Sequence, residues 1–393
     1  MKKRLPILFA ITLSIFPLAF LSCSQDPDCT AEESIESIIS EYYSRIDAEI
    51  PISLAIYSKK SNIDFAISVN VMEKDDPQFY LYSITKTFVS AAIIDLCNKG
   101  RMSFDDKLSK YFDYSEIGSI NASATIGELL SHRSGIADYA TTNSLLLGLN
   151  SFRYMEWNPS VVLSLVKTPY DKNKSYIYSS TNYILLGMIL EQVTGCTANE
   201  WLKSKLYTPL ALKFALVPQD TVDYSLLEHP HIFPNTEPLW IQGDENKPVD
   251  VTDFISDGME LIGKVSWTSG GMVGTAKQTA KWGYNLLSDN GLVADEIRHT
   301  MYQSIEKIDE TNEYYGYGVR KLFDNGDDGI EVVGSYGRGV GSDNLMFYDS
   351  EYDICIAILT GCNKNKNGTP DIEKLLFDIL KYERREILAH QFD

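Results

Sequence analysis

Positive charge is scarce in this sequence, with 35 Lys and Arg against 54 Asp and Glu and a formal net charge of −19 over 393 residues. A surface of that sign repels a polyanion and disfavours nucleic acid as a partner. Histidine is scarce too. The five histidines, His132, His229, His231, His299 and His390, form no His-Glu-x-x-His helix and no other metal-ligating set. The six cysteines, Cys23, Cys29, Cys97, Cys196, Cys355 and Cys362, have neither zinc-ligand spacing nor the density of a disulfide framework. No metal or cofactor is expected, and the cysteines after Cys23 read as packing residues or one incidental bridge. No internal repeat is present, nor any low-complexity tract apart from the polar turn 363–367.

What the chain does have is 44% hydrophobic content, enough for a large core and more than one structural unit. It opens with Lys2-Lys3-Arg4, then an apolar stretch from Leu5 to Leu21 that ends Phe20-Leu-Ser-Cys23. A charged start before a hydrophobic run of this length is an export signal, so 1–22 reads as a signal peptide and 23–34 as a flexible leader. Removing 1–22 takes three positive charges and no negative ones, and the formal net charge goes from −19 to −22. The residues before Cys23 resemble a bacterial lipobox, with Phe20 in place of the usual leucine. That resemblance implies lipidation at Cys23, a membrane tether, and a lipoprotein facing the periplasm or cell surface.

The chemistry points to Ser83-Ile-Thr-Lys86. A serine hydroxyl needs a neighbour to take its proton, and Lys86, three residues on, shares its face of a helix. Ser-x-x-Lys alone is weak, because Ser164-Leu-Val-Lys167 and Ser304-Ile-Glu-Lys307 match it equally. The setting separates Ser83. The segment 78–82 reads as extended, and 84–97 then runs as a helix, apolar almost all round, to a stop at Gly100. A helix N-terminus offers free N–H groups and positive potential to an oxyanion.

Around this segment, 31–43 reads as a helix and 52–57 with 63–69 as a hairpin. From 104 to 313 helix signals dominate, including 182–193 ending at Gly195. Strand signals return at 315–322, 329–334, 343–348 and 352–359, and a helix spans 372–388. The expected fold is α/β in the α+β sense, an antiparallel sheet flanked by helices and built from both chain ends. A folded domain at 35–390 divides into a sheet region, 35–103 and 314–390, and a mostly helical region, 104–313, with the site in the cleft between them. The Pro-containing stretch 220–257 reads as a surface insertion.

Together these segments resemble the serine β-lactamase and penicillin-binding superfamily, in its branch of class C β-lactamases, D-alanyl-D-alanine carboxypeptidases and related esterases. Ser83-Ile-Thr-Lys86 resembles the first motif of that family, and Tyr178-Ser-Ser-Thr-Asn-Tyr183 its Tyr-x-Asn segment. Leu129-Leu-Ser-His-Arg-Ser-Gly135 is similar to its Leu-Leu-x-His-x-Ser-Gly element, Ser269-Gly-Gly271 to its Gly-Gly turn, and Tyr315-Gly-Tyr-Gly318 to a late strand opening. The resemblance covers roughly 35–390. It implies acyl transfer, with Ser83 as nucleophile, Lys86 and Tyr178 sharing the proton work, and a small peptide, β-lactam or ester as substrate. An esterase with little β-lactam or peptidase activity, or a catalytically silent binding protein of the same fold, is the alternative.

Two departures stand out. Ser180 replaces the asparagine of the second motif, and Ser335-Tyr-Gly337 replaces a third motif that opens with a basic residue. The resemblance makes Ser180, Ser335, Gly337 and Arg338 substrate-binding, with the backbone N–H groups of Ser83 and Arg338 as oxyanion donors. Gly337 is expected to let substrate approach the strand closely. The Arg338 side chain is left open, to cleft or solvent. His132 is expected to be a structural histidine in a turn.

Overall fold

The computed structural model describes residues 31–44, 50–72, 77–113, 120–140, 156–166, 170–171, 175–234, 247–252, 258–309, 311–324, 329–364 and 371–390. Cys23, Cys29 and the export signal lie outside them, as do parts of the 220–257 insertion and of the 363–367 turn. Helix α1 (Ala31–Tyr43) precedes the hairpin β1 (Ile52–Ser58) and β2 (Ile63–Val69), with the expected turn between the two strands. Strand β3 (Phe79–Tyr80) leads through a 3₁₀ turn at Tyr82–Ile84 into helix α2 (Thr85–Asn98).

The middle of the chain carries helix α3 (Ile126–Leu130), helix α4 (Ser180–Thr194), the short strands β4 (Ala215–Leu216), β5 (His231–Ile232) and β6 (Val249–Asp250), and helix α5 (Gly258–Gly270). Strand β7 (Met272–Gly274) and helix α6 (Ala276–Leu287) follow. The chain then runs through β8 (Glu306–Lys307), β9 (Tyr314–Tyr315), β10 (Arg320–Phe323), β11 (Glu331–Gly339), β12 (Ser342–Asp349) and β13 (Ile354–Thr360) to helix α7 (Ile372–His390).

Eight strands form one antiparallel sheet in the order β2-β1-β13-β12-β11-β10-β9-β8, so the two chain ends meet at β1 and β13, with Ile52 opposite Thr360. Alternation along these strands sends Ile52, Leu54 and Ile56 with Ile354, Ile356 and Ile358 into a layer shared with α1 and α7. Ala55, Ala357 and Leu359 join the other core, with α2, α4 and α6. Two departures from the sequence reading concern strands. The run 315–322 is broken by a turn at Gly318, with φ +76, into β9 and β10, and β11 continues past Gly334 to Gly339. Because β10 pairs only with Glu331–Gly334, residues 335–339 of β11 have no partner on that edge among the described strands.

Helix α2 is buried around its whole circumference from Thr85 to Ile94, as its all-round apolar sequence requires. Phe88 stacks on Trp282 with ring centroids 4.1 Å apart and meets Phe214 edge-on at 4.9 Å. Each fully buried aromatic of this kind contributes about 1.5–3 kcal/mol. The first turn of α2 is thereby anchored on a rigid axis. Among the described residues, no helix is long and apolar enough to cross a membrane and no His, Cys, Asp and Glu group could hold a metal ion.

Candidate active site

Ser83 lies in the 3₁₀ turn that feeds α2, one residue after a strained backbone position. Tyr82 has φ 44°, a conformation that costs a non-glycine residue about 1–3 kcal/mol and persists only where surroundings impose it. Here they do, for the Tyr82 side chain is buried and its hydroxyl donates to the Val340 carbonyl at 2.8 Å. Ser83 is left partly exposed at the head of the helix.

Two side chains meet the serine. Lys86 Nζ, 1% exposed, donates to Ser83 Oγ at 2.9 Å, and the Tyr178 hydroxyl donates to the same oxygen at 2.8 Å. The ammonium nitrogen also lies 5.1 Å from the centre of the Tyr178 ring. Two further acceptors hold Lys86, the Ser269 carbonyl at 2.7 Å and Ser180 Oγ at 3.5 Å. Helix α5 is broken at Trp267 (φ 33°, ψ −122°), so the Ser269 carbonyl stands outside a regular helical ladder and is free to accept from a side chain. Ser180 is fixed in turn by Asp138 Oδ1, which accepts from its backbone N–H at 3.0 Å. The serine that replaces the motif's asparagine therefore faces the lysine.

The competing Ser-x-x-Lys matches do not build such a site. Ser304 caps a helix end with Oγ on the Met301 carbonyl while Lys307 sits on exposed β8, and Ser164 Oγ is spent on the Val161 carbonyl. Lys167 lies outside the described residues.

His132 backs the tyrosine and does not approach the serine. Its Nδ1 accepts from the Ser179 N–H at 3.2 Å, so Nε2 carries the proton and faces the Tyr315 hydroxyl at 3.2 Å. Burial, with the charges of Lys86, Arg320 and Arg133 adding to it, pushes its pKa well below the usual imidazole value. This neutral ring lies 4.2 Å from that of Tyr178 and 4.9 Å from that of Tyr315. Tyr176 packs on the same histidine at 6.1 Å, and burial pushes its phenol pKa up.

A cavity of about 180 Å³ opens over Ser83, lined also by Tyr178, Tyr315, Arg320, Ser335, Tyr336 and Arg338. Ser335 is thus in the cleft, with Oγ donating to the Tyr336 carbonyl at 3.2 Å. Gly337 is constrained from within the protein as well: a Cβ there would lie 2.1 Å from the Leu81 carbonyl oxygen, so the turn that carries Ser83 itself approaches the strand closely. The Arg338 guanidinium, left open by the sequence, is tied at the rim by Asp343 at 2.9 Å and Glu373 at 2.8 Å. The sequence reading missed Arg320. Its guanidinium stands 5.5 Å from the Tyr315 ring and 4.8 Å from the Tyr336 ring, and among the described residues no carboxylate pairs with it. Its one signal is position, two residues after the Tyr315-Gly-Tyr-Gly318 opening.

A buried lysine and a tyrosine converging on one partly exposed serine, beside a cleft lined by two arginines, form an arrangement suited to acyl transfer. Comparisons with known proteins agree. The chain is 24% identical to "Penicillin-binding protein 4*" of Bacillus subtilis over 208 residues, 49% of this chain and 43% of that protein, so it matches less than half of that relative's length. Its structure resembles that of D-amino acid amidase from Ochrobactrum anthropi, with a TM-score of 0.75 at 18% identity over 90% of this chain and 99% of the other. It also resembles a D-stereospecific amidohydrolase from Streptomyces, with a TM-score of 0.63 at 19% identity over 79% and 89%. The β-lactamase family profile matches residues 72–380, most of the chain and all of the site just described. This chain is a member of the β-lactamase family, within the serine hydrolase superfamily that includes penicillin-binding proteins.

Proposed function

We propose that this protein is a serine acyl-hydrolase in which Ser83 forms an acyl-enzyme with a small amide, peptide or ester that carries a carboxylate. The observation that carries the reading is the pair of contacts on one oxygen, Lys86 Nζ at 2.9 Å and the Tyr178 hydroxyl at 2.8 Å. Lys86 has three acceptors, Ser83 Oγ, Ser180 Oγ and the Ser269 carbonyl, matching the three N–H donors of an ammonium. These contacts support a reading in which Lys86 holds Ser83 Oγ in place and Tyr178 relays the proton. As Ser83 Oγ bonds to the carbonyl carbon, Tyr178 takes the Ser83 proton and gives its own hydroxyl proton to the departing amine or alkoxide, whose bond to that carbon breaks. Water then attacks the ester, and the proton returns by the same route. The developing oxyanion is held by the main-chain N–H groups of Ser83 and Arg338, the latter on the strand that meets the nucleophile turn at Gly337.

Arg320 supports the choice of a substrate bearing a carboxylate. The third motif lacks a basic residue at Ser335, Arg338 is tied to two carboxylates, and Arg320 brings a guanidinium to the same cavity. The named relatives suggest amide and peptide substrates, and the altered third motif keeps an esterase with little β-lactam activity as the second reading. Intact-mass analysis after incubation with penicillin, an alanyl peptide ending in a carboxylate, and a neutral ester separates them. An adduct on wild type that is absent from Ser83→Ala is expected. No adduct with any of the three removes the reading and favours a silent binding protein.

We further propose the division of the domain into a sheet region and a helical region, and export with a lipid on Cys23. Metabolic labelling with a radioactive fatty acid tests the latter; label persisting in Cys23→Ala overturns it.

A further inference from the structure

Tyr336 is the middle residue of the altered third motif, and its surroundings give it a task. Two guanidinium groups lie on its ring, Arg338 at 4.2 Å and Arg320 at 4.8 Å from the centroid. The two arginines differ in everything else. Arg338 spends Nε on Asp343 and a terminal nitrogen on Glu373, the carboxylate that also meets the Tyr336 hydroxyl. Among the described residues Arg320 is held by ring faces, Tyr336 on one side and Tyr315 at 5.5 Å, with no hydrogen bond or ion pair to its guanidinium. A ring face attracts a guanidinium through its quadrupole without consuming an N–H donor. The five donors of Arg320 are therefore left for a bidentate acceptor. Tyr336 itself is 7% exposed and fixed edge-on against Phe347, with centroids 5.3 Å apart, so its ring is a rigid shelf.

We propose that Tyr336 is the positioning residue that holds the Arg320 guanidinium over the cleft and thereby sets the preference for substrates bearing a carboxylate. The inference rests on the proposed reading of the cleft as an acyl-transfer site and adds the element that aims its cation. Tyr336 does not touch the reacting atoms. Its effect passes through Arg320.

The test compares Tyr336→Leu, Tyr336→Thr, Tyr336→Phe, Arg320→Gln and the Arg320→Gln/Tyr336→Leu double variant in the full chain. The substrates are a carboxylate-bearing aryl ester and its neutral methyl ester analogue. Loss of the ring, in Tyr336→Leu or Tyr336→Thr, raises KM for the anionic substrate about tenfold more than KM for the neutral analogue, while kcat stays within about twofold. Tyr336→Phe, which keeps the ring, behaves as wild type. In the Arg320→Gln background Tyr336→Leu adds nothing. Equal damage to both substrates, a Phe variant as impaired as Leu, or an undiminished effect in the Arg320→Gln background overturns the proposal.

A turnover-free measurement separates this inference from the proposed function. Calorimetric titration of Ser83→Ala with N-acetylalanine, with and without Tyr336→Leu, is expected to show about tenfold weaker binding in the double variant. If no ester acylates Ser83 yet this shift appears, the hydrolase reading fails and the positioning role stands. If Ser83 is acylated and the shift is absent, the reverse holds.

Discussion

Gly337→Ala is a one-methyl change whose effect can be worked from the structure. The added Cβ would sit 2.1 Å from the Leu81 carbonyl oxygen, a backbone atom two residues before the nucleophile. Ordinary carbon–oxygen contacts lie at about 3.3–3.6 Å, so β11 and the nucleophile turn must separate by about 1.2 Å. Overpacking of this kind costs about 1–3 kcal/mol. With unfolding entropy scaling by chain length, that is a fall in Tm of about 1–4 °C. The functional loss is larger, since a displacement of about 1 Å between nucleophile and oxyanion donors costs about 10²-fold in rate.

Gly195→Ala is the control. That residue ends α4 with φ +75°, and nothing lies within 4 Å of the place its new methyl group would take, so backbone strain of about 1–2 kcal/mol is the main cost. Calorimetry and kcat/KM on a single ester then distinguish the two variants. Gly195→Ala loses stability alone, whereas Gly337→Ala loses a similar amount of stability and nearly all activity. A Gly337→Ala enzyme with wild-type kcat/KM would refute the claim that β11 and the Ser83 turn are held in register by that contact.

Lys86→Met is expected to lower kcat by about 10²–10⁴-fold. It leaves the Ser269 carbonyl without its donor, a cost of about 1–3 kcal/mol, while relieving the desolvation of a buried charge, so Tm should move by only a few degrees; collapse of the fold would contradict this. Tyr178→Phe keeps the ring against His132 and removes only the hydroxyl, so kcat should fall about 10²-fold with Tm nearly unchanged; full activity assigns the proton work to Lys86 alone. Because burial holds the His132 pKa below its unfolded value, the unfolded chain takes up a proton that the folded chain refuses once pH drops below about 6.5. Stability should thus be constant in this respect above that pH and fall below it, by up to about 1.4 kcal/mol per pH unit, and His132→Gln should flatten the slope of urea midpoints between about pH 6.5 and 5. An unchanged slope shows that His132 titrates normally.

The chemistry was legible where it depends on local spacing. Ser83 and Lys86 lie one helical turn apart, Tyr178 comes shortly before the helix read at 182–193, which begins at Ser180, and all three side chains converge as the order of motifs implies. The helix at 31–43 and the hairpin strands at 52–57 and 63–69 were legible for the same reason, the first strand running one residue further, to Ser58, since periodicity is a local property. What escaped depends on contacts distant in the chain. The Ser269 carbonyl meets Lys86 across 183 residues only because α5 breaks at Trp267, a position no helix propensity marks. Arg320 looks like any strand arginine until β10 is placed opposite Gly334 and its neighbours Tyr315 and Tyr336 are seen to close around it. Gly337 was recognised as a close approach, but the approaching atom belongs to Leu81, which sequence spacing could not supply.

The pairing of β1 with β13 has a consequence for how the protein is made. A ribosome that has translated as far as Gly329 has already produced Ser83, Lys86 and Tyr178, yet not β11, β12 or β13. The hairpin β1–β2 must wait for residues some three hundred positions downstream before its inner edge is filled, as Ile52 waits for Thr360. Closing so long a loop is slow, and the chain stays open until its last strands emerge. The Ser83 hydroxyl therefore exists long before β11 brings Ser335, Tyr336 and Arg338 to its cleft.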